Sequence, residues 1–209
     1  AGGHDRLNAM YMVDGYGENN PLVVKSEFIM SLIEQIDKTG VGSQEKSIID
    51  RCIRLVYDEA SHNGTVPTLC TLREKLMEQP EPEAQDIALS LELYTDGSLD
   101  IFGRASNVDL DKRVVVFDIH GLGSQQKPTG LLVITDTMLN RVTLNWKKGK
   151  RTHVFLDEFH VVFENEYSGA FFNSAWRQFR KRNAFPTAIT QNVEYLLDSV
   201  QGKHDVLKL

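Results

Sequence analysis

At 209 residues, 41% of them apolar and 25% charged, the chain is long enough for one substantial core and too ordinary in composition for a disordered or collagen-like polymer. Its unbroken apolar runs, such as Val114 to Phe117 and Leu131 to Ile134, fall far short of the ~18 residues that a bilayer-crossing helix needs. A formal charge of −6 removes any global attraction for nucleic acid, so phosphate contacts must come from local basic clusters.

The first half reads as helical. Pro21 precedes Lys25 to Asp37, where Phe28, Ile29, Leu32, Ile33 and Ile36 recur at the spacing of one helix face, and Gly40 follows as a stop. Ser43 is expected to cap a second helix reaching about Ser61, with Ile48, Ile49, Cys52, Ile53, Leu55 and Val56 turned inward and Asn63-Gly64 as its end. Thr68, after Pro67, is placed to cap a third helix over Leu69 to Glu78, and Pro80 and Pro82 separate that from a fourth over Glu83 to Tyr94. Cys52 and Cys70 form no CxxC pair, which predicts buried, reduced thiols rather than a redox or zinc site.

The period then changes. Arg113 to Ile119 is a β-branched run that predicts a strand buried on both faces, and Leu131 to Trp146 is an amphipathic helix carrying Leu132, Thr135, Met138, Leu139 and Val142. His153 to Glu158 predicts the next strand, Ser168 to Arg182 the next helix, and Pro186 to Gln191 a third strand, with a helix beginning near Val193. Strands alternating with helices predict an α/β fold around a parallel sheet.

In such sheets ligands sit at the carboxyl ends of the strands, which directs attention to Asp118, Asp157-Glu158 and Gln191. An acidic pair closing an apolar strand suits nucleotide hydrolysis. One carboxylate can hold Mg²⁺ through its waters while the other orients or deprotonates the attacking water. The same pair would also suit a helix start, where acids offset the positive end of the dipole. Arg177, Arg180, Lys181 and Arg182 cluster at a helix end, either as solvated charges complementing the dipole or as ligands of a nucleotide phosphate, within one subunit or across a subunit boundary. Arg141, Lys147, Lys148, Lys150 and Arg151 form a second basic patch on an expected surface loop. The six histidines include no HExxH, which argues against histidine-bound metal. A phosphate-cradling G-x-x-x-x-G-K-[ST] is missing, because Leu144 and Leu197 stand where Gly149-Lys150 and Gly202-Lys203 would require glycine. Gly121-Leu-Gly123 and Gly15-Tyr-Gly17 each lack the third glycine of a dinucleotide fingerprint.

Taken together, Thr95-Asp-Gly-Ser-Leu-Asp-Ile-Phe102, Val115-Val-Phe-Asp-Ile119, Val154-Phe-Leu-Asp-Glu158, Asn165-Glu-Tyr-Ser168, Arg180-Lys181 and Pro186-Thr-Ala-Ile-Thr-Gln-Asn192 resemble the large ATPases of conjugation and type IV secretion systems. These are the TraC/TrbE/VirB-type proteins of the HerA/FtsK branch of RecA-like motors, and the likeness is to the members found in Gram-positive conjugative elements. The resemblance implies a partial RecA-like P-loop NTPase core with a parallel sheet and an inserted all-α subdomain. It divides the chain into the start of the core at 1–21, the helical insertion at 22–95 and the rest of the core at 96–209. It implies ATP and Mg²⁺ as cofactors of the whole protein, with Asp157 as the Mg²⁺ carboxylate, Asp118 beside it on the cofactor side, Glu158 as catalytic base and Gln191 as sensor of the terminal phosphate. Arg180 and Lys181 match the family's basic motif. Partners would be secretion-channel and coupling proteins and further copies in a hexamer, at the cytoplasmic, inner face of the cell membrane, with DNA as a further candidate. The chain departs from the family pattern at Asn183-Ala184, where glycines commonly follow the basic pair, and in the tail from Gln201 to Leu209, which lacks an arginine-bearing segment.

Ala1-Gly2-Gly3 brings no signal peptide, which argues against export by that route, and no initiator Met, so the chain is expected to be a piece of something longer; the resemblance implies that the phosphate loop lies upstream. By itself it is then expected to bind ATP poorly and not to hydrolyse it. Two other readings compete: a non-catalytic module docking channel components, and a DNA-translocating motor with Arg141 to Arg151 lining a pore.

Overall fold

The computed structural model describes residues 5–17, 20–37, 40–123, 126–163 and 166–191. Four helices come first: α1 (Pro21–Ile36), α2 (Ser43–Asn63), α3 (Leu69–Met77) and α4 (Pro82–Thr95). Pro21 and Pro82 occupy first-turn positions, where the missing N–H costs no helical hydrogen bond. Thr68 caps α3 as expected: its hydroxyl accepts the Thr71 N–H at 3.2 Å, and the Thr71 hydroxyl accepts the Thr68 N–H at 2.9 Å. Gly64 ends α2 in the left-handed region at φ 64°, a conformation glycine adopts without Cβ strain. At the other end of α2 the expectation fails: Gly42 holds the N-cap, no side chain caps the helix, and Ser43 already lies inside it.

The apolar stripes meet in one core. Phe28, Ile29, Leu32 and Ile33 of α1 pack with Ile49, Cys52 and Ile53 of α2, Leu69, Leu72 and Leu76 of α3, and Ile87 and Leu91 of α4. Leu55 is not part of it. It falls at the margin of the α2 stripe and is 40% exposed. Of the cysteines, Cys52 is buried and Cys70 only half-buried; both are free thiols. Leu132 and Val133 carry the core into the next helix, α5 (Lys127–Lys147).

After α5 come β1 (Thr152–Leu156), a 3-10 turn over Phe159–Phe163, α6 (Glu166–Lys181) and β2 (Ala184–Ala188). β1 and β2 pair in parallel, in register from Thr152↔Ala184 to Leu156↔Ala188, with α6 as the crossover. A parallel pair cannot be closed by a tight turn, so a helix between the strands is what the topology requires. Val154 and Ala184 pack beneath the sheet with Leu139 and Val142 of α5 and with Ala175 and Phe179 of α6.

The expected strand over Arg113 to Ile119 does not form. Among the described residues the sheet has only β1 and β2, and Val114 and Val116 are 75% and 82% exposed. β-branched residues favour a pleated, half-buried surface but do not create one, and among the described residues this run has no strand beside it to pair with. The last strand also starts two residues and ends three residues earlier than expected, leaving Gln191 beyond its end. The helix expected from Val193 lies outside the described residues. Among those described, no helix is long and apolar enough to cross a membrane.

A polar centre that the hydrophobic pattern did not announce lies between α1 and α5. Lys25 and Asp136, with side chains 0% and 1% exposed, pair at 2.6 Å. Tyr16 donates its hydroxyl to the other Asp136 oxygen at 2.5 Å, and Asn140 donates to Oδ2 at 3.1 Å while accepting the Val13 N–H at 2.9 Å. Burial pushes the Asp136 carboxyl up and the Lys25 ammonium down, each opposed by the other's charge. Arg182, also buried, donates to the Thr143 hydroxyl at 2.8 Å and to the Gly15 carbonyl at 3.4 Å. Residues 13–16 are thereby fastened to α1, α5 and the end of α6.

Candidate functional site at the carboxyl end of the sheet

The β1 ladder is interrupted where its acids begin. Ile189, the residue after β2, donates its N–H to the Leu156 carbonyl at 2.8 Å, and its own carbonyl accepts the Phe159 N–H at 2.9 Å. The pairing therefore steps over Asp157 and Glu158, which bulge from the strand line. Glu158 turns at φ 50°, an uncommon conformation for a residue with a side chain. Such left-handed residues cost of order 1–3 kcal/mol, and strain of this kind concentrates at functional sites. The Glu158 N–H returns to Asp157 Oδ1 at 3.0 Å.

This register brings Gln191 to the acids: its side-chain amide donates to Glu158 Oε1. The other carboxylate oxygen, Oε2, lies 3.4 Å from Nδ1 of His160, in the 3-10 turn. Asp157, Glu158 and Gln191 thus share one rim of the sheet, with Asp157 exposed to solvent. Among the described residues no group of three or more His, Cys, Asp or Glu is gathered to hold a metal ion. A single exposed carboxylate is nonetheless the donor set that suits Mg²⁺, which keeps most of its waters.

Asp118 is not brought to this rim by any described contact. With no strand to end, it sits exposed in a turn, where the backbone N–H and then the ring of His120 hold its carboxyl below the usual range. Arg180 and Lys181 are likewise not gathered with the acids. They close α6 immediately before β2 begins, so the length of β2, roughly 16 Å at ~3.3 Å per residue, separates them from the acidic rim. Because the strands are parallel, the exposed Lys148, Lys150 and Arg151, which precede β1, share that amino-terminal end with Arg180 and Lys181. The sheet is acidic at one end and basic at the other. Two members of the second basic patch are engaged elsewhere: Arg141 pairs with Asp111 at 2.6 Å and Lys147 with Asp14.

Asn183, which follows the basic pair and Arg182, takes φ 53°, and asparagine tolerates that region better than other residues with a side chain. Sequence reasoning passed over His160, whose only sequence signal was its place two residues after Glu158. It also read Arg182 as one more exposed cation, whereas that side chain is buried.

A parallel strand pair joined by a helix, with an acidic bulge at its carboxyl end and a helical group packed beside it, defines an α/β fold carrying an all-α addition. Such a fold is found in the solved structure of VirB4 of Thermoanaerobacter pseudethanolicus, which this chain matches with a TM-score of 0.74 at 18% identity. The match covers 94% of this chain and 57% of that one, so the chain spans little more than half of the VirB4 structure's length. No protein-family model and no curated protein matches the sequence.

Proposed function

We propose that this chain is part of an ATPase of the type IV secretion and conjugation class, with Asp157, Glu158 and Gln191 forming its hydrolytic rim. The observation that carries the reading is the strained acidic bulge whose second carboxylate is met by the Gln191 amide. The likeness of fold to VirB4 supports it. In this reading Glu158 takes a proton from the attacking water, and Gln191, in contact with the same carboxylate, links it to the terminal phosphate. Asp157 is the residue that would hold Mg²⁺ through water, and the ion would neutralise charge on the phosphate oxygens.

Since these residues contain no phosphate-cradling loop, the triphosphate would be gripped by another part of the whole protein. Arg180 and Lys181, at the far end of the strands, would serve the nucleotide of an adjacent copy rather than their own, as in a ring such as a hexamer. Secretion-channel and coupling components at the inner face of the membrane are the partners this class implies. A DNA-moving role draws on one observation, the grouping of Lys148, Lys150 and Arg151 with Arg180 and Lys181 at the basic end.

The test is Glu158→Gln in the intact native protein. Turnover of ATP should be abolished while nucleotide is still retained, since the amide keeps the shape and loses the base. Unchanged turnover would remove Glu158 from the chemistry and the reading with it.

A further inference from the structure

The Glu158 carboxylate is approached from two separate elements. Oε1 takes the amide of Gln191, which follows β2, and Oε2 faces Nδ1 of His160 at 3.4 Å from within the 3-10 turn. That turn is anchored. Phe159 and Val162, on either side of His160, are 3% and 4% exposed and pack with Phe172. The Phe159 ring lies edge-on to Phe172 at 5.5 Å and tilted on Trp176 at 5.7 Å. The imidazole is therefore carried on a fixed backbone, and its Nδ1 is shielded from solvent, at ion-pair distance from Oε2 but outside hydrogen-bond geometry with it.

A carboxylate held at one oxygen can still rotate, because the last torsion of a glutamate is broad and only two-fold. Glu158 sits in a left-handed turn outside the strand ladder, so a second contact at its carboxylate adds restraint that the ladder does not give. A second group at the second oxygen supplies that restraint.

We propose that His160 is a positioning residue for Glu158: its Nδ1 side holds Oε2 and fixes the plane of the carboxylate while the base takes a proton from water. The inference rests on the reading of Glu158 given above. His160 touches neither nucleotide nor water in this scheme and acts only through the carboxylate. A misplaced base lowers the chemical step and leaves nucleotide binding alone, so the signature is a fall in kcat without a change in KM.

The experiment is steady-state Mg-ATP hydrolysis by the intact native protein carrying His160→Phe, which keeps an aromatic ring and removes the nitrogen. The expected result is a fall in kcat of about 10- to 100-fold with KM for ATP within about twofold of the parent. His160→Asn, whose side-chain amide can stand where Nδ1 stands, should restore kcat to within about fivefold. His160→Ala, with the same expectation as Phe, is the second probe should the larger ring not be accommodated. Glu158→Gln is measured alongside. If it is inactive while His160→Phe and His160→Ala turn over at the parental rate, the role of His160 is overturned and that of Glu158 stands. Equal losses in the Phe, Ala and Asn variants would also overturn it, since the nitrogen would then not matter. An active Glu158→Gln overturns both.

Discussion

Removing one partner of the Lys25–Asp136 pair should destabilise the protein far more than removing both. Neither charge reaches solvent, so deleting one leaves the other in a medium that cannot hydrate it, at a cost of about 3–5 kcal/mol. The two single variants should differ. Lys25→Met leaves Asp136 with the Tyr16 hydroxyl and the Asn140 amide, and neutralisation of a carboxyl already pushed up by burial softens the loss, giving about 3 kcal/mol. Asp136→Leu leaves the Lys25 ammonium with only the Phe28 and Tyr16 ring faces, 4.7 and 5.1 Å from their centres, and also takes the acceptor from the Tyr16 hydroxyl, and should cost about 5 kcal/mol. In Lys25→Met/Asp136→Leu both charges are gone. The Asn140 amide keeps the carbonyls of Tyr11 and Asp136 at 3.2 and 3.0 Å, so the main remaining loss is the acceptor of the Tyr16 hydroxyl, about 1–3 kcal/mol. The double variant should therefore be more stable than Asp136→Leu and lie well below the sum of the singles. Urea unfolding followed by far-UV circular dichroism and by Trp146 and Trp176 fluorescence measures each step. Singles costing under about 1 kcal/mol, or a double equal to their sum, would refute the reasoning.

Two further predictions follow from local chemistry. Burial, and then the negative charge of Asp136, push the Tyr57 hydroxyl well above its ordinary range. The folded state thus keeps a proton that the unfolded chain releases near pH 10. The stability so contributed is full below that pH and is lost as pH rises above it, by up to about 1.4 kcal/mol per pH unit. Between pH 9 and 11, denaturant titrations should show the parent falling faster than Tyr57→Phe; parallel slopes would contradict this. At the start of α3, Thr68→Ala removes the acceptor of the Thr71 N–H and should lower stability by about 1 kcal/mol, read as a shift in urea midpoint at constant slope. No shift would mean that water replaces the cap at no cost.

The helical half was legible because each of its signals is local. Pro21, Gly64, Thr68 and Pro82 act within one turn of their own position, and the stripe of Phe28, Ile29, Leu32 and Ile33 needs only a helix to form. The failures lie where the signal depends on a distant partner. The pattern of Arg113 to Ile119 is that of a buried strand, but a strand exists only beside another, and sequence periodicity cannot say whether one is there. Nothing in the hydrophobic pattern marked Lys25, Asp136 and Arg182 as buried, because charge usually stays in water. Their burial depends on pairings across more than thirty positions of sequence, which no window reveals.

The candidate site shows the same division. That Asp157-Glu158 closes a strand was readable, because an apolar run followed by two acids is a local statement. That Gln191 reaches Glu158 follows instead from a register, Leu156 against Ala188, in which Ile189 bonds on both sides of the acidic pair and expels it from the ladder. Parallel pairing then does the opposite for the cations. Residues that precede strands, such as Arg151 and Arg180, cannot share an end with residues that follow them, such as Glu158 and Gln191. A sequence places all of these near strands, but only strand direction assigns them to ends. Strand direction alone therefore sets Arg180 and Lys181 at the end opposite the acids, and the same rule would have separated them without coordinates once both strands were taken as parallel.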